Sequence, residues 1–181
     1  LKIAELCEGL PVSAESTATT AEGMIEEGKR LATLAPNIVV KLPVCEAGLA
    51  ACRALADVGV RVNMTLVFSP TQALMAANAG ARYISPFVGR FDDIAEDGIS
   101  QLDNVVTCIK NYDWTGKNVD DTVEIITASV RTPNHVTQAA LLGADIATVP
   151  MAALKKCLHH PLTDQGLASF EADWKKVVEQ A

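Results

Sequence analysis

Two rhythms of apolar and polar positions alternate along this chain. Short runs rich in Val, Ile and Thr read as strands at residues 11–16, 38–42, 61–68, 83–87, 124–129 and 146–150. Between them the apolar positions follow helical spacing, which predicts helices over 21–34, 47–58, 70–79, 94–112, 133–142 and 152–159, with a last amphipathic helix over 163–178. Gly59, Gly80 and Gly143 stand where helical patterns stop, as glycine does at helix C-termini. The opening LKIAELCEGL reads as the end of a helix, and the chain starts at Leu1 without a Met. The expectation is therefore that the natural protein carries more residues before these. No linker or low-complexity stretch divides residues 1–181, so a single domain is expected.

Strand followed by helix, repeated, argues a parallel sheet, because parallel strands need a crossover connection that is usually a helix. Two architectures fit: an open doubly wound sheet and a closed α/β barrel. A nucleotide-binding open sheet carries a Gly-rich loop after its first strand, and none is present here. The polar residues favour the barrel, whose chemistry sits at the C-terminal ends of several strands. Alternation along each strand puts Ser13 with Glu15, Val39 with Lys41, Asn63 with Thr65 and Ser85 with Phe87 on one face. By the same count Thr127, Ser129 and Arg131 share a face in the fifth strand. Converging in a barrel mouth, these groups would form a lysine–carboxylate–hydroxyl site with an arginine at its rim.

Lys41 closes the apolar run NIVVK. A lysine there is costly to bury unless paired or functional. Burial would lower its pKa and make the amine a nucleophile; the alternative is a lysine snorkelling from a strand end. Glu15 suits a general base acting through water, or a salt-bridge partner. Thr65 and Ser129 are site hydroxyls or ordinary strand residues. Arg90 and Arg131 bind phosphate or are solvated, and Thr132-Pro133 after Arg131 resembles a helix start, which favours anions. Asp92-Asp93 caps or precedes a helix, His135 falls in a helix's first turn, and His159-His160 ends one.

Composition narrows the function classes. Hydrophobic residues make up 49% but aromatics only 4%, which suits the aliphatic core of a covered parallel sheet. A formal net charge of −7 argues against a nucleic-acid binder, yet leaves room for a small anion held by local arginines. Five cysteines, an odd number with no CxxC, read as reduced, partly buried thiols of a cytoplasmic protein. No apolar run reaches the roughly 18 residues of a membrane span. No HxxxH or other metal-ligand spacing occurs, so a zinc-dependent enzyme is not expected.

NIVVKLPVCEAGLAA, VNMTLVFSPTQALMAANAGARYISPFVGRFDD and TASVRTP together resemble the transaldolase family, over a stretch from about Val12 to Trp174. The spacing of NMTLVFS and ISPFVGR is the most specific part. The resemblance implies a TIM-type (β/α)8 barrel with six of its eight βα units in this chain. The family's first two strands, with a catalytic Asp and the Asn of a TNPS-like segment, are missing. By position, Lys41 would be the Schiff-base lysine, Glu15 the carboxylate that activates water, and Thr65 the residue holding that water. Asn63, Ser85 and Phe87 would line the substrate pocket, and Arg90, Ser129 and Arg131 would hold the substrate phosphate. Cys45 stands where many relatives have threonine.

The implied activity is transfer of a dihydroxyacetone unit from fructose 6-phosphate or sedoheptulose 7-phosphate to an aldose phosphate, in the pentose phosphate pathway, without metal or cofactor. The related fructose-6-phosphate aldolases carry Gln at the Glu15 position and Tyr at the Phe87 position, so Glu and Phe favour the transferase. The alternatives are that aldolase, or an inactive sugar-phosphate-binding remnant. The resemblance also implies a homo-oligomer, pentamer or decamer, with the 163–178 helix reaching a neighbour. The other reading of its Phe170, Trp174 and Val177 stripe is packing on its own barrel.

Overall fold

The computed structural model of the protein describes residues 1–117 and 120–179. The elements run α1 (Lys2–Leu6), β1 (Val12–Glu15), α2 (Ala21–Ala32), β2 (Ile38–Pro43), α3 (Glu46–Ala56), β3 (Val62–Val67), α4 (Pro70–Asn78), β4 (Tyr83–Pro86) and α5 (Val88–Asp92). They continue through α6 (Gly98–Lys110), β5 (Glu124–Thr127), α7 (Pro133–Leu142), β6 (Ile146–Ala147), α8 (Met151–Cys157) and α9 (Pro161–Glu179). The six strands are all parallel and lie in the order β1-β2-β3-β4-β5-β6. An open doubly wound sheet reverses direction at a switch point. Here each strand pairs with its sequence neighbour, so the sheet curls one way into part of a TIM-type barrel.

Local chemistry explains where the helices start. Thr20, Ser69 and Thr132 each accept a bond from the amide two or three places into the following helix: Gly23, Gln72 and His135 respectively. Pro70 and Pro133 occupy first-turn positions where a missing N–H costs nothing. Gly143 ends α7 at φ 81, a left-handed conformation that glycine adopts without penalty.

Strand alternation divides the core into two layers. Val40, Leu42, Val62, Met64, Ile84 and Ile125 point outward and pack with Leu55, Ala76, Leu102 and Ile109 of the helices. Val39, Tyr83 and Ile126 form a smaller cluster on the inner face. The thiol of Cys52 lies fully within the outer layer, and burial pushes it up to about 12. No helix of the described residues is long and apolar enough to cross a membrane.

Three expectations need correction. The helix expected over 94–112 is shorter: α6, Gly98–Lys110, is the helix in that range, and the separate short helix α5, Val88–Asp92, precedes it. Ala95 at φ 60 breaks the run, and Asp97 starts α6 afresh by accepting bonds from Ile99 and Ser100 amides. Gly98 permits this: a Cβ there would lie 2.2 Å from the Val88 carbonyl oxygen. The sixth strand is two residues rather than five, although the Thr148 amide still bonds the Thr127 carbonyl beyond it. The C-terminal stripe does not pack on its own barrel. No residue of α9 is buried, and Phe170 and Trp174 are 73% and 67% exposed.

The start of α3 lies tight against the end of β2. A Cβ on Gly48 would meet the Pro43 carbonyl oxygen at 1.9 Å, and backbone cannot move aside as a side chain can. Gly48→Ala should lower unfolding free energy by about 1–3 kcal/mol, the usual cost of overpacking. Urea melts of the two proteins would measure it, and unchanged stability would mean that α3 can shift freely relative to β2.

Candidate active site

Parallel pairing in register brings the polar strand ends abreast. Glu15 sits opposite Lys41, Lys41 opposite Asn63, and Phe87 opposite Ala128. The result is one pocket of about 280 Å³ lined by Ser13, Glu15, Lys41, Asn63, Thr65, Ser85, Phe87 and Ser129, with Ile126, Ala128 and Thr148 completing its wall. Seven of the nine residues singled out from the sequence thus face one space. A larger depression, about 570 Å³, lies at the other end of the sheet by Arg53, Asp57 and Asn78. Arg53 and Asp57 there pair with each other, and the Lys117 amine on the same wall sits over the Trp114 ring.

Within the pocket, Lys41 Nζ lies 2.9 Å from Glu15 Oε2. Lys41 is not sealed off as its apolar run suggests, since 26% of its side chain reaches solvent, and 53% of Glu15's does. Beneath them runs a short polar chain. The Asn63 amide donates to Ser13 Oγ at 3.0 Å, while Ser85 Oγ donates to Asn63 Oδ1 at 2.7 Å. Those two bonds fix which way the Asn63 amide points. Thr65 is 1% exposed and its hydroxyl bonds no other described residue. A buried hydroxyl facing a pocket is a ready partner for a substrate oxygen or a water.

Two backbone departures shape the mouth. Ile126 and Ala128 line the pocket, so alternation turns Thr127 to the other side, where it is fully buried and its hydroxyl has no partner among the described residues. The expected shared face of Thr127, Ser129 and Arg131 is therefore incorrect. Ser129 reaches the pocket because it adopts φ 58, which breaks the alternation after Ala128. On β3 the register shifts between Met64 and Val67, adding one residue relative to β4, with Leu66 at φ 59. Beyond this bulge Phe68 turns onto Phe87 and Phe91, at ring separations of 5.9 and 5.7 Å.

Neither Arg90 nor Arg131 lines the pocket itself. Arg131 forms a two-pronged ion pair with Asp93: Nη2 donates to Oδ2 at 2.6 Å and Nη1 pairs with Oδ1. The bonds from Arg131 hold the Asp93 carboxyl below the usual carboxylate range. Arg90 is exposed and makes no ion pair among the described residues, though its charge bears on Asp93. The Arg131 amide donates to Nδ1 of buried His135 at 3.3 Å, which puts that ring's proton on Nε2, 2.9 Å from Asp92 Oδ2.

Sequence reasoning did not assign roles to three further residues. Ser13 and Thr148 join the pocket wall; alternation from Glu15 pointed to the first, while the second fell within the expected sixth strand but lies past the two residues that form it. Glu27 of α2 reaches back to the loop after β1 and accepts from Ser16 Oγ (2.7 Å), the Thr17 amide (2.8 Å) and the Ala18 amide (3.2 Å). The Ser16 bond leads in holding its carboxyl low. No group of three or more His, Cys, Asp or Glu among the described residues is placed to hold a metal ion.

Residues 1–181 match the family model described as Transaldolase/Fructose-6-phosphate aldolase. A probable transaldolase of Thermus thermophilus is 56% identical over 174 residues, covering 95% of this chain and 75% of that protein. A probable transaldolase of Desulfosudis oleivorans is 53% identical over 174 residues, covering 96% and 78%. One from Aquifex aeolicus is 51% identical over 179 residues, covering 99% and 79%.

Asn63 is the hinge of the polar chain beneath Lys41. Asn63→Ala would leave the Ser85 hydroxyl, 2% exposed, without its acceptor. An orphaned buried polar group costs about 1–3 kcal/mol. Thermal unfolding should show a loss of that size; wild-type stability would mean that the serines find other partners.

Proposed function

The chain belongs to the transaldolase/fructose-6-phosphate aldolase family, and on that premise we propose that Lys41 forms a Schiff base with a ketose phosphate and transfers its dihydroxyacetone unit to an aldose phosphate. The observation that carries this reading is the Lys41–Glu15 pair, 2.9 Å apart at the mouth of a pocket lined by hydroxyl and amide groups. Fructose 6-phosphate and sedoheptulose 7-phosphate are the proposed donors.

The chemistry needs an amine nucleophile and a proton carrier. Glu15, in direct reach of Nζ, takes a proton from Lys41, directly or through water. The free amine attacks the ketose carbonyl, and loss of water from the carbinolamine gives an iminium. The iminium draws the electrons of the C3–C4 bond as the C4 hydroxyl gives up its proton. Aldose phosphate leaves, and an enamine stays on Lys41. C3 of the enamine then attacks the acceptor's aldehyde, and water hydrolyses the new iminium to release product. Because the iminium does the electron withdrawal, neither metal nor cofactor is required. In this scheme Thr65 holds the water, while Asn63 and Ser85 meet substrate hydroxyls. Phe87 forms an apolar wall. Ser129, Arg90 and Arg131 take the phosphate at the rim.

Transfer rather than simple cleavage is favoured by Glu15 and Phe87, which stand where the resembling aldolases carry Gln and Tyr. Phe87 offers no hydroxyl to place water against the enamine, so the three-carbon unit waits for an aldehyde. We assign the exposed face of α9, with Leu167, Phe170, Trp174 and Val177, to contact with another copy of the chain, in a pentamer or decamer. The reduced thiols suit a cytoplasmic setting.

Borohydride added with fructose 6-phosphate should reduce the imine and leave a stable mass increase on the peptide containing Lys41. Lys41→Arg should show neither the adduct nor turnover, because guanidinium stays protonated. Turnover without any trapped adduct would refute the Schiff base. Phe87→Tyr should raise free dihydroxyacetone release relative to transfer. A wild type that already releases it as fast as it transfers it would favour the aldolase.

A further inference from the structure

We infer that Asp93 is a positioning residue for phosphate recognition, holding the guanidinium of Arg131 in one place before substrate arrives. The inference rests on the proposed role of Arg131 as a phosphate ligand and adds to it a reason for the Asp92-Asp93 pair and for His135.

Three independent contacts converge on one arginine. Asp93 takes both terminal nitrogens of its guanidinium, a paired geometry that fixes orientation as well as distance. Gly89 lets the side chain cross the short helix α5: a Cβ there would stand 2.7 Å from Arg131 Nε, 3.0 Å from its Cδ and 2.3 Å from the Ser129 carbonyl oxygen. Ser129, the other rim residue, leaves the strand in a left-handed conformation at φ 58. His135 bonds the Arg131 backbone amide through Nδ1 and Asp92 through Nε2, tying α5 to the first turn of α7. Arg131 is thus held at its amide, along its stem and at its tip. Arg90, on α5 three residues before Asp93, makes no ion pair among the described residues. The two rim arginines therefore differ: one is fixed in advance and the other is free to close on a ligand.

A carboxylate this near an anion site has two opposite effects, and they separate by sign. Through charge alone Asp93 repels phosphate, so removing it would tighten binding. Through orientation it spares the ligand the entropy of ordering a long side chain, so removing it weakens binding. The inference commits to the second. Bidentate pairing, the Gly89 crossing and the His135 tie all restrict the arginine, whereas a half-exposed carboxylate repels weakly through water.

The test compares Asp93→Asn, which keeps the shape and loses the charge, with Asp93→Glu and with Arg131→Ala. Each is assayed with fructose 6-phosphate and with unphosphorylated fructose, and with inorganic phosphate as competitive inhibitor. Asp93→Asn should raise KM for fructose 6-phosphate and Ki for phosphate by roughly three- to tenfold. The change should fall on KM rather than kcat, spare the fructose reaction, and be partly restored in Asp93→Glu. In an Arg131→Ala background Asp93→Asn should add nothing further. An unchanged or lowered KM and Ki in Asp93→Asn, with Arg131→Ala still raising both, would overturn the inference and leave the phosphate role of Arg131 standing. No effect of Arg131→Ala on phosphorylated substrate or on phosphate would overturn both.

Discussion

A parallel strand covered by helices on its outer face and curled around an interior on its inner face has little room for polar side chains except near its C-terminal end. Everything at the candidate site follows from that constraint. Outward positions such as Val40, Leu42, Met64 and Ile84 are fully buried against the helices. Inward positions begin apolar, with Val39, Tyr83 and Ile126, and turn polar two or three residues later. Register then does the assembling. Glu15, Lys41 and Asn63 belong to three successive strands paired in step, so three residues far apart in sequence arrive side by side.

Regular alternation would make a lined wall but not a mouth. The mouth is made by the places where the chain departs from it. The bulge at Thr65 and Leu66 carries β3 outward and brings Phe68 onto Phe87. The left-handed turn at Ser129 brings inward a hydroxyl that alternation would have sent to the helices. Gly89 and Gly98 allow α5 to lie within van der Waals contact of neighbouring backbone. Non-glycine residues at positive φ cost energy and persist where surrounding packing over-determines them. Here both such strand-end residues flank the same pocket.

Two carboxylates outside the pocket hold its edges. Glu27 binds the loop that follows Glu15 by one hydroxyl and two amides, and Asp93 grips Arg131 by its fork. In both, accepting those bonds holds the carboxyl below its ordinary range, which keeps it ionised and able to accept. The catalytic candidates can then stay partly exposed, as Lys41 and Glu15 are, while their supports carry the geometry.

Much of this was legible in the sequence because period and parity are local properties. Val, Ile and Thr runs located all six strands, and parity along the first four placed Glu15, Lys41, Asn63, Thr65, Ser85 and Phe87 on the pocket side. The motifs around Lys41 and in ISPFVGR identified the family. Parity failed at Thr127 because one left-handed residue, Ser129, resets it, and nothing local marks a serine for positive φ. The helix expected over 94–112 starts late, at Gly98, because Ala95 turns left-handed and Gly98 packs against the Val88 carbonyl, ten residues back, an approach that no local pattern shows. The pairing of Arg131 with Asp93 and the grip of Glu27 on the β1 loop join residues that only the folded chain brings together. The sequence by itself determined which residues could do chemistry and which way most of them face, since alternation needs only neighbours. Tertiary structure decided what holds them and what shapes the rim, since ion pairs, bulges and close approaches depend on groups distant in the chain.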